Sequence, residues 1–279
     1  MTAPARPQIR ALFLDIDGTL VDGANTISPG VQKAIAAARE KGCEIVLCTG
    51  RTRYRTLPVA ELLGPPLGYA ITSNGGVVVH LGAGEVLYRR LLPIPVALEI
   101  VRAIVEAGAE PYVYEDSDVP GEEGARVLFH PDLPVGPWAT FPRYRPHATL
   151  LEDLPFAPVS VSCFGAPEKM RPLAARLSER LSADVSIIQS GTEYNWGVEV
   201  FVSGVSKRLG LETVAARLDV AREETLAIGD HFNDLEVLRW AGVGVAMGNA
   251  LPEVLAAADW VTASLEEDGV ARAIERFIL

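Results

Sequence analysis

At 279 residues the chain is long for one simple domain and short for three, so one large domain or two modest ones is the expectation. Its 25 basic and 36 acidic residues give a formal net charge of -11, which argues against nucleic acid or an anionic membrane as partner. No run of about 18 apolar residues occurs, no charged-then-apolar leader opens the chain, and the three cysteines, Cys43, Cys48 and Cys163, read as buried free thiols. The expectation is a cytoplasmic protein.

The first element is the apolar run Leu12-Phe13-Leu14, which ends in Asp15-Ile16-Asp17-Gly18-Thr19. An apolar run of this kind reads as a strand buried on both faces, as in the middle of a parallel sheet. Ser28-Pro29 then opens a helix that Gly42 closes. Glu44–Cys48 reads as a second strand ending in Thr49-Gly50-Arg51, Arg53 to Leu63 as a helix, and a third strand ends at Ser73-Asn74-Gly75-Gly76. Strand and helix in alternation predict a parallel sheet with right-handed crossovers.

The pattern then changes. Val77–His80 and Glu85–Tyr88 predict a hairpin, Val96 to Ala107 a helix, Pro111 to Tyr114 a strand, and the proline-rich stretch Pro131 to Pro158 an ordered loop. Val159 to Phe164, Glu168 to Leu181 and Val185 to Gln189 read as strand, helix and strand. The first pattern resumes near Glu199-Val200-Phe201. A helix from Val205 to Leu218 carries Lys207, and Thr225–Ile228 is a strand ending in Gly229-Asp230-His231-Phe232-Asn233-Asp234. Further strands at Val243–Met247 and Trp260–Thr262, with helices between and after them, complete the chain. The expected fold is α/β: a doubly wound, mainly parallel sheet formed by residues 1–90 and 194–279, with an α+β domain inserted at 91–193.

Asp15/Asp17, Thr49, Asn74 and Asp230/Asp234 all stand at expected strand ends of one sheet. The carboxyl ends of such strands share an edge, where ligands bind. Asp15 and Asp17, two apart, address one point if the chain is still extended there. Four carboxylates along one edge repel unless a divalent cation and a lysine neutralise them. Oxygen ligands without a histidine or cysteine cluster point to Mg2+ rather than zinc. Together these features predict magnesium-dependent phosphate chemistry.

The motifs then resemble a known family. Asp15-Ile16-Asp17-Gly18-Thr19, Thr49-Gly50-Arg51, Gly204-Val205-Ser206-Lys207 and Gly229-Asp230 with Asn233-Asp234 stand in the order of the four motifs of the haloacid dehalogenase superfamily. The tail Ala241–Ala250, Ala258-Asp259 and Glu267–Ala271 is similar to its Cof-type phosphatases, which carry a large α/β cap between two halves of the core. The resemblance implies that Asp15 is the nucleophile, forming an aspartyl-phosphate, and that Asp17 is general acid and then base. It implies phosphate contacts from Thr49, Gly50, Lys207 and Asn233. It implies metal ligation by Asp15, the backbone carbonyl of Asp17 and Asp230, with Asp234 as ligand or support. Taken singly, Thr49 reads as a helix cap, Lys207 as a solvated charge and Asn74 as a turn residue. Gly242-Val243-Gly244 with Gly248 is one residue too long for a dinucleotide loop, and His231 is taken as a rim residue.

A cap supplies contacts to the leaving group. Arg51 and Asn74 from the core, and Tyr112, Tyr114, Arg126, His130, Arg143, Arg145, His147 and Glu193 from the insert, are the candidates for substrate contact. The cluster Arg143-Tyr144-Arg145-Pro146-His147 either meets a second anionic group of the substrate or pairs with carboxylates of its own fold. The reading is a magnesium-dependent phosphomonoester phosphatase acting on a sugar phosphate or phosphorylated cofactor. The alternatives are a phosphotransferase or phosphomutase of the same fold and a non-catalytic phosphometabolite sensor, which would have no use for the general acid Asp17.

Overall fold

The computed structural model describes residues 8–66, 68–116, 126–133, 143–181, 183–191 and 196–279. The chain begins with β1 (Ala11–Leu14), α1 (Pro29–Glu40), β2 (Glu44–Cys48), α2 (Arg53–Leu62), β3 (Tyr69–Thr72), β4 (Val77–His80) and β5 (Glu85–Arg89). It continues with α3 (Ile94–Glu106), β6 (Tyr112–Tyr114), β7 (Val127–Phe129), β8 (Tyr144–Pro146), β9 (Ser160–Gly165), α4 (Pro167–Leu181), β10 (Val185–Gly191) and β11 (Trp196–Val202). The last segment holds α5 (Lys207–Leu218), β12 (Thr225–Gly229), α6 (Leu235–Trp240), β13 (Val243–Ala246), α7 (Pro252–Ala257), β14 (Trp260–Val261) and α8 (Gly269–Phe277). These elements form two compact units: Met1–Arg51, Thr56–Leu87 and Lys207–Leu279 make one, and Thr52–Arg55 with Tyr88–Ser206 make the other. Among the described residues no helix is long and apolar enough to cross a membrane.

The first unit is built on an eight-stranded sheet in the order β14-β13-β12-β1-β2-β3-β4-β5. The pairings from β14 through to β3 are parallel, and β3 pairs antiparallel with β4. After β1 the chain adds β2 and β3 on one side, and later β12, β13 and β14 on the other. Strand β1 is therefore the switch point, where such sheets place their ligands. All four of its residues are buried, as its uninterrupted apolar sequence requires. Leu12 and Leu14 share a core with Val31, Ile35 and Ala38 of α1 and Val270, Ala273 and Ile274 of α8. Helix α1 starts as its sequence indicates: Ser28 Oγ accepts from Val31 N at 3.1 Å, Pro29 takes the first helical position, and Gly42 follows the helix at φ +81°.

Helix α5 packs against β2, β3 and α6. Its close approach to β3 rests on Gly210, where any Cβ would overlap Ile71 Cγ2. The arginine after Lys207 does not disturb this packing, because Arg208 points outward and pairs with Glu212 at 2.9 Å.

The second unit holds a six-stranded sheet in the order β10-β11-β9-β6-β7-β8, with α3 and α4 packed on it and on each other. Two differences from the sequence reading concern this sheet. Glu199-Val200-Phe201 lies within β11, which pairs antiparallel with both β9 and β10 and so belongs here and not to the resumed parallel pattern. An apolar run carries no mark of which sheet it joins. The stretch expected as loop contributes Tyr144–Pro146 as β8, paired in parallel with β7, itself unforeseen. Pro146 is tolerated because β8 is an edge strand, where a missing N–H need not break a ladder.

The fit at Gly210 gives a direct test. Alanine there gains about 1 kcal/mol of helix propensity, yet the overlap with Ile71 should cost about 1–3 kcal/mol. Gly210→Ala should therefore lower the urea midpoint of the whole protein, and a rise would show that α5 does not pack this closely.

Candidate active site

Four strand ends of the first unit supply the candidate residues. Beyond β1, Asp15 continues the ladder, its N donating to Ile228 O at 3.1 Å, and then the chain turns, with Ile16 O accepting from the N–H groups of Leu20 and Val21. Gly18 at φ +80° makes this turn, and a Cβ there would lie 2.6 Å from Asp230 Oδ2. Thr19 Oγ1 donates to Asp230 Oδ1 at 2.7 Å, and Asn249 Nδ2 donates to Gly18 O at 2.8 Å. The loop after β1 is thereby tied to the loop after β12 through Asp230 and to the loop after β13 through Asn249.

At the end of β2, Thr49 is fully buried and its Oγ1 accepts from Arg51 N at 3.1 Å, which leaves the hydroxyl proton for another acceptor. Beyond β3, Ser73, Asn74 and Gly75 have φ of 49°, 53° and 92° in succession. Left-handed backbone at two non-glycine residues carries strain, and such strain persists only where the surroundings enforce it. Here Ser73 N donates to Arg51 O at 2.8 Å and Asn74 N to Thr49 O at 3.0 Å. The Asn74 side chain lies against Gly50, where a Cβ would come within 3.2 Å of its amide, and Asn74 Oδ1 accepts from Asn233 Nδ2 at 2.9 Å.

Lys207 is the first residue of α5 and is 2% exposed. Its Nζ donates to Asp15 Oδ1 at 2.6 Å and to Asp234 Oδ1 at 2.7 Å. Burial opposes the ammonium form, but the two carboxylates beside it outweigh that and raise its pKa. Asp234 Oδ2 accepts from the N–H groups of Asp230 and His231 at 3.2 and 3.1 Å, so both its oxygens are engaged in holding Lys207 and the loop. Burial raises the Asp15 carboxyl well above its usual range; Lys207 opposes this, and Asp234 and Asp230 add to it. Burial also raises Asp230, to about 6, against the hydrogen bond from Thr19.

One oxygen from each of Asp15, Asp230 and Asp234 lies within 4.8 Å of the others. Three converging carboxylate oxygens with no nitrogen or sulfur ligand fit a hard divalent cation. The raised carboxyls fit it as well, because a cation supplies the charge that burial withholds. The Asp17 carboxylate is not part of this set. It is paired with Arg51, whose Nε donates to Oδ2 at 2.8 Å and Nη2 to Oδ1 at 2.5 Å.

Asp15, Lys207, Asp230 and Asp234 thus form one cluster, Asp17 and Arg51 a second, and Thr49, Gly50, Asn74 and Asn233 a third, all in the first unit. The ties made by Thr19 to the loop after β12, and by Asn249 from the loop after β13, were not expected from the sequence, although both residues stand in the quoted motifs. The candidates of the inserted unit have partners within that unit. Arg143 stacks on Tyr54 at 4.3 Å, Arg145 Nη1 donates to Tyr144 O at 3.0 Å, and His147 Nε2 lies 3.6 Å from Asp153 Oδ1. Arg126 pairs with Glu115 at 2.7 Å, the Tyr112 hydroxyl donates to Glu110, and His130 Nδ1 accepts from Asp132 N at 3.3 Å. Tyr114 is raised by burial and by the adjacent Tyr144. Glu193 lies outside the described residues.

Residues 12–274 match the family of haloacid dehalogenase-like hydrolases. A 5-amino-6-(5-phospho-D-ribitylamino)uracil phosphatase of Bacillus subtilis is 30% identical over 273 residues, covering 95% of this chain and 96% of that one. A pyridoxal phosphate phosphatase of Escherichia coli is 28% identical over 275 residues, covering 95% and 97%. Among solved structures, a haloacid dehalogenase-like hydrolase of Bacteroides thetaiotaomicron superposes with a TM-score of 0.81 at 29% identity, covering 96% and 99%. The chain belongs to the haloacid dehalogenase-like hydrolase family.

Cation binding is testable without turnover. A ligand held only by the folded state at 100 times its Kd stabilises by about 2.7 kcal/mol, so a divalent cation should raise Tm at pH 7.5. Because a cation binds the deprotonated carboxylate, the rise should fade as pH falls through about 6, where Asp230 takes up its proton. Asp230→Asn should remove the rise, and an undiminished rise in that variant would place the cation elsewhere.

Proposed function

We propose that this enzyme, a phosphatase, hydrolyses the phosphomonoester of a small soluble metabolite in two phosphoryl transfers through Asp15, with Mg2+ held by Asp15, Asp230 and the backbone carbonyl of Asp17. The observation that carries the reading is the buried Lys207, which holds Asp15 Oδ1 at 2.6 Å at the sheet's switch point while Asp17 stands two residues further on with an exposed side chain. Lys207 engages one oxygen of Asp15 and so leaves the other, Oδ2, to attack phosphorus. The P–O bond to the alcohol breaks as the bond to Asp15 forms, and Asp17 gives the departing oxygen its proton. Water then attacks the phosphorus of the aspartyl-phosphate, Asp17 takes a proton from it, and Asp15 is released as carboxylate. When bound, the cation neutralises charge on the phosphoryl oxygens.

The other residues then have definite tasks. The Lys207 ammonium, held on the non-attacking oxygen of Asp15, stabilises charge spread over the phosphoryl group. Thr49 offers its hydroxyl proton and Gly50 its accessible backbone, while Asn74 holds the Asn233 amide by accepting from it. Asp234 supports Lys207 and the loop rather than the substrate. Relatives that act on a ribityl phosphate and on pyridoxal phosphate favour a phosphate ester of a primary alcohol as substrate. The net charge of -11 fits a small diffusible anion drawn into a local site better than a polyanion.

Phosphate release from a panel of primary-alcohol phosphomonoesters, with and without EDTA, tests the class. Hydrolysis should stop with EDTA and return with magnesium. Asp15→Asn should lower kcat by at least about 10³-fold, and Asp17→Asn by about 10²–10⁴-fold. Asp15→Asn should still fold, since Lys207 keeps Asp234 as partner. Full activity in Asp15→Asn would refute the mechanism.

A further inference from the structure

The ion pair between Arg51 and Asp17 is unequal. The Arg51 side chain is 7% exposed, whereas that of Asp17 is 62% exposed. Two N–H groups of one guanidinium meet the two oxygens of one carboxylate, a fork that fixes the plane of the carboxylate as well as its position. The donor is anchored on both sides of its Cα: Arg51 N donates to Thr49 Oγ1, and Arg51 O accepts from Ser73 N, the first residue of the strained turn after β3. An ion pair at the surface contributes little partly because two flexible side chains must be ordered to form it. Here burial has already ordered the long one, and only the short Asp17 side chain remains to be fixed. The strained turn, the end of β2 and the guanidinium therefore act in series on the direction of one exposed carboxylate.

We propose that Arg51 is a positioning residue for Asp17, holding its carboxylate where it meets the leaving-group oxygen; this rests on reading Asp17 as the group that moves the proton. Each carboxylate oxygen has a second lone pair outside the fork, so Asp17 can serve the substrate while Arg51 holds it. A role for Arg51 as direct ligand of the phosphoryl group would instead require both N–H groups to leave Asp17. The two roles differ in what they make of the leaving group. Positioning a proton donor matters for an alkoxide, which leaves poorly without a proton, and little for a nitrophenolate. Binding the phosphoryl group matters for both alike.

The test compares kcat/KM, which reports steps up to the first phosphoryl transfer, for an alkyl phosphomonoester and for 4-nitrophenyl phosphate. In Arg51→Gln the ratio of alkyl to nitrophenyl kcat/KM should fall by about 10²-fold, the scale of loss from a misplaced catalytic group. Arg51→Lys, which keeps charge and stem but not the fork, should lower the same ratio and serves if glutamine at this buried position impairs folding. Neither substitution should lower the ratio further in an Asp17→Asn background, because the two residues act as one unit. An unchanged ratio in the Arg51 variants, or an additive loss in that background, overturns the proposal and assigns Arg51 to the phosphoryl group or to the fold. Asp17→Asn with wild-type hydrolysis of the alkyl ester would instead refute the reading of Asp17 itself. Asp17→Asn impaired with the Arg51 ratio unchanged would refute the positioning role alone.

Discussion

A buried ammonium between two buried carboxylates is the interaction on which the rest of the site depends. Lys207 reaches Asp15 and Asp234 in surroundings from which water is almost wholly excluded. Such a network is costly to assemble, because each charge loses its hydration, and it holds only if every charge is paired. Asp15, Asp17, Asp230 and Asp234 set against Lys207 and Arg51 still sum to a formal charge of -2. Burial is the main reason that the Asp15 and Asp230 carboxyls are raised, and the neighbouring carboxylates add to it. A divalent cation would balance that formal charge of -2, which is why three converging carboxylates suit one here.

The fold around this network is arranged to leave it no slack. Gly210 lets α5 lie close on β3 and so sets the position from which Lys207 starts. Gly229 leaves room for the Asp234 side chain, since a Cβ there would stand 2.5 Å from its Cγ. Gly18 does the same for Asp230. These glycines matter for closeness of approach more than for flexibility. Each brings a carboxylate or an ammonium against backbone where a methyl group would hold it off, and an error of 1 Å there is the scale on which catalysis is lost.

Much of this was legible in the sequence because the relevant signals are local. The buried run before Asp15, the polar strand ends at Thr49, Asn74 and Asp230, and the acids without a histidine or cysteine cluster are each signals carried by a few consecutive residues. What could not be read depends on partners far apart in the chain. Nothing near Arg51 says that its guanidinium turns back 34 positions to Asp17, so it reads equally well as a substrate contact. Thr19 and Asn249 join loops 211 and 231 residues away, and no periodicity encodes such ties. The assignment of β11 failed for the same reason: its apolar pattern fits either sheet, and only the pairing with β9 and β10 decides. The short β8 was hidden by its proline, which an edge position makes harmless.

The central claim is that phosphate passes through Asp15 before it reaches water. The most direct measurement is the stereochemical course at phosphorus, using a substrate whose phosphoryl group is made chiral with oxygen isotopes. Two in-line displacements, first by Asp15 and then by water, predict net retention. Net inversion would show that water attacks the substrate directly, and would contradict the account whatever the effect of replacing Asp15.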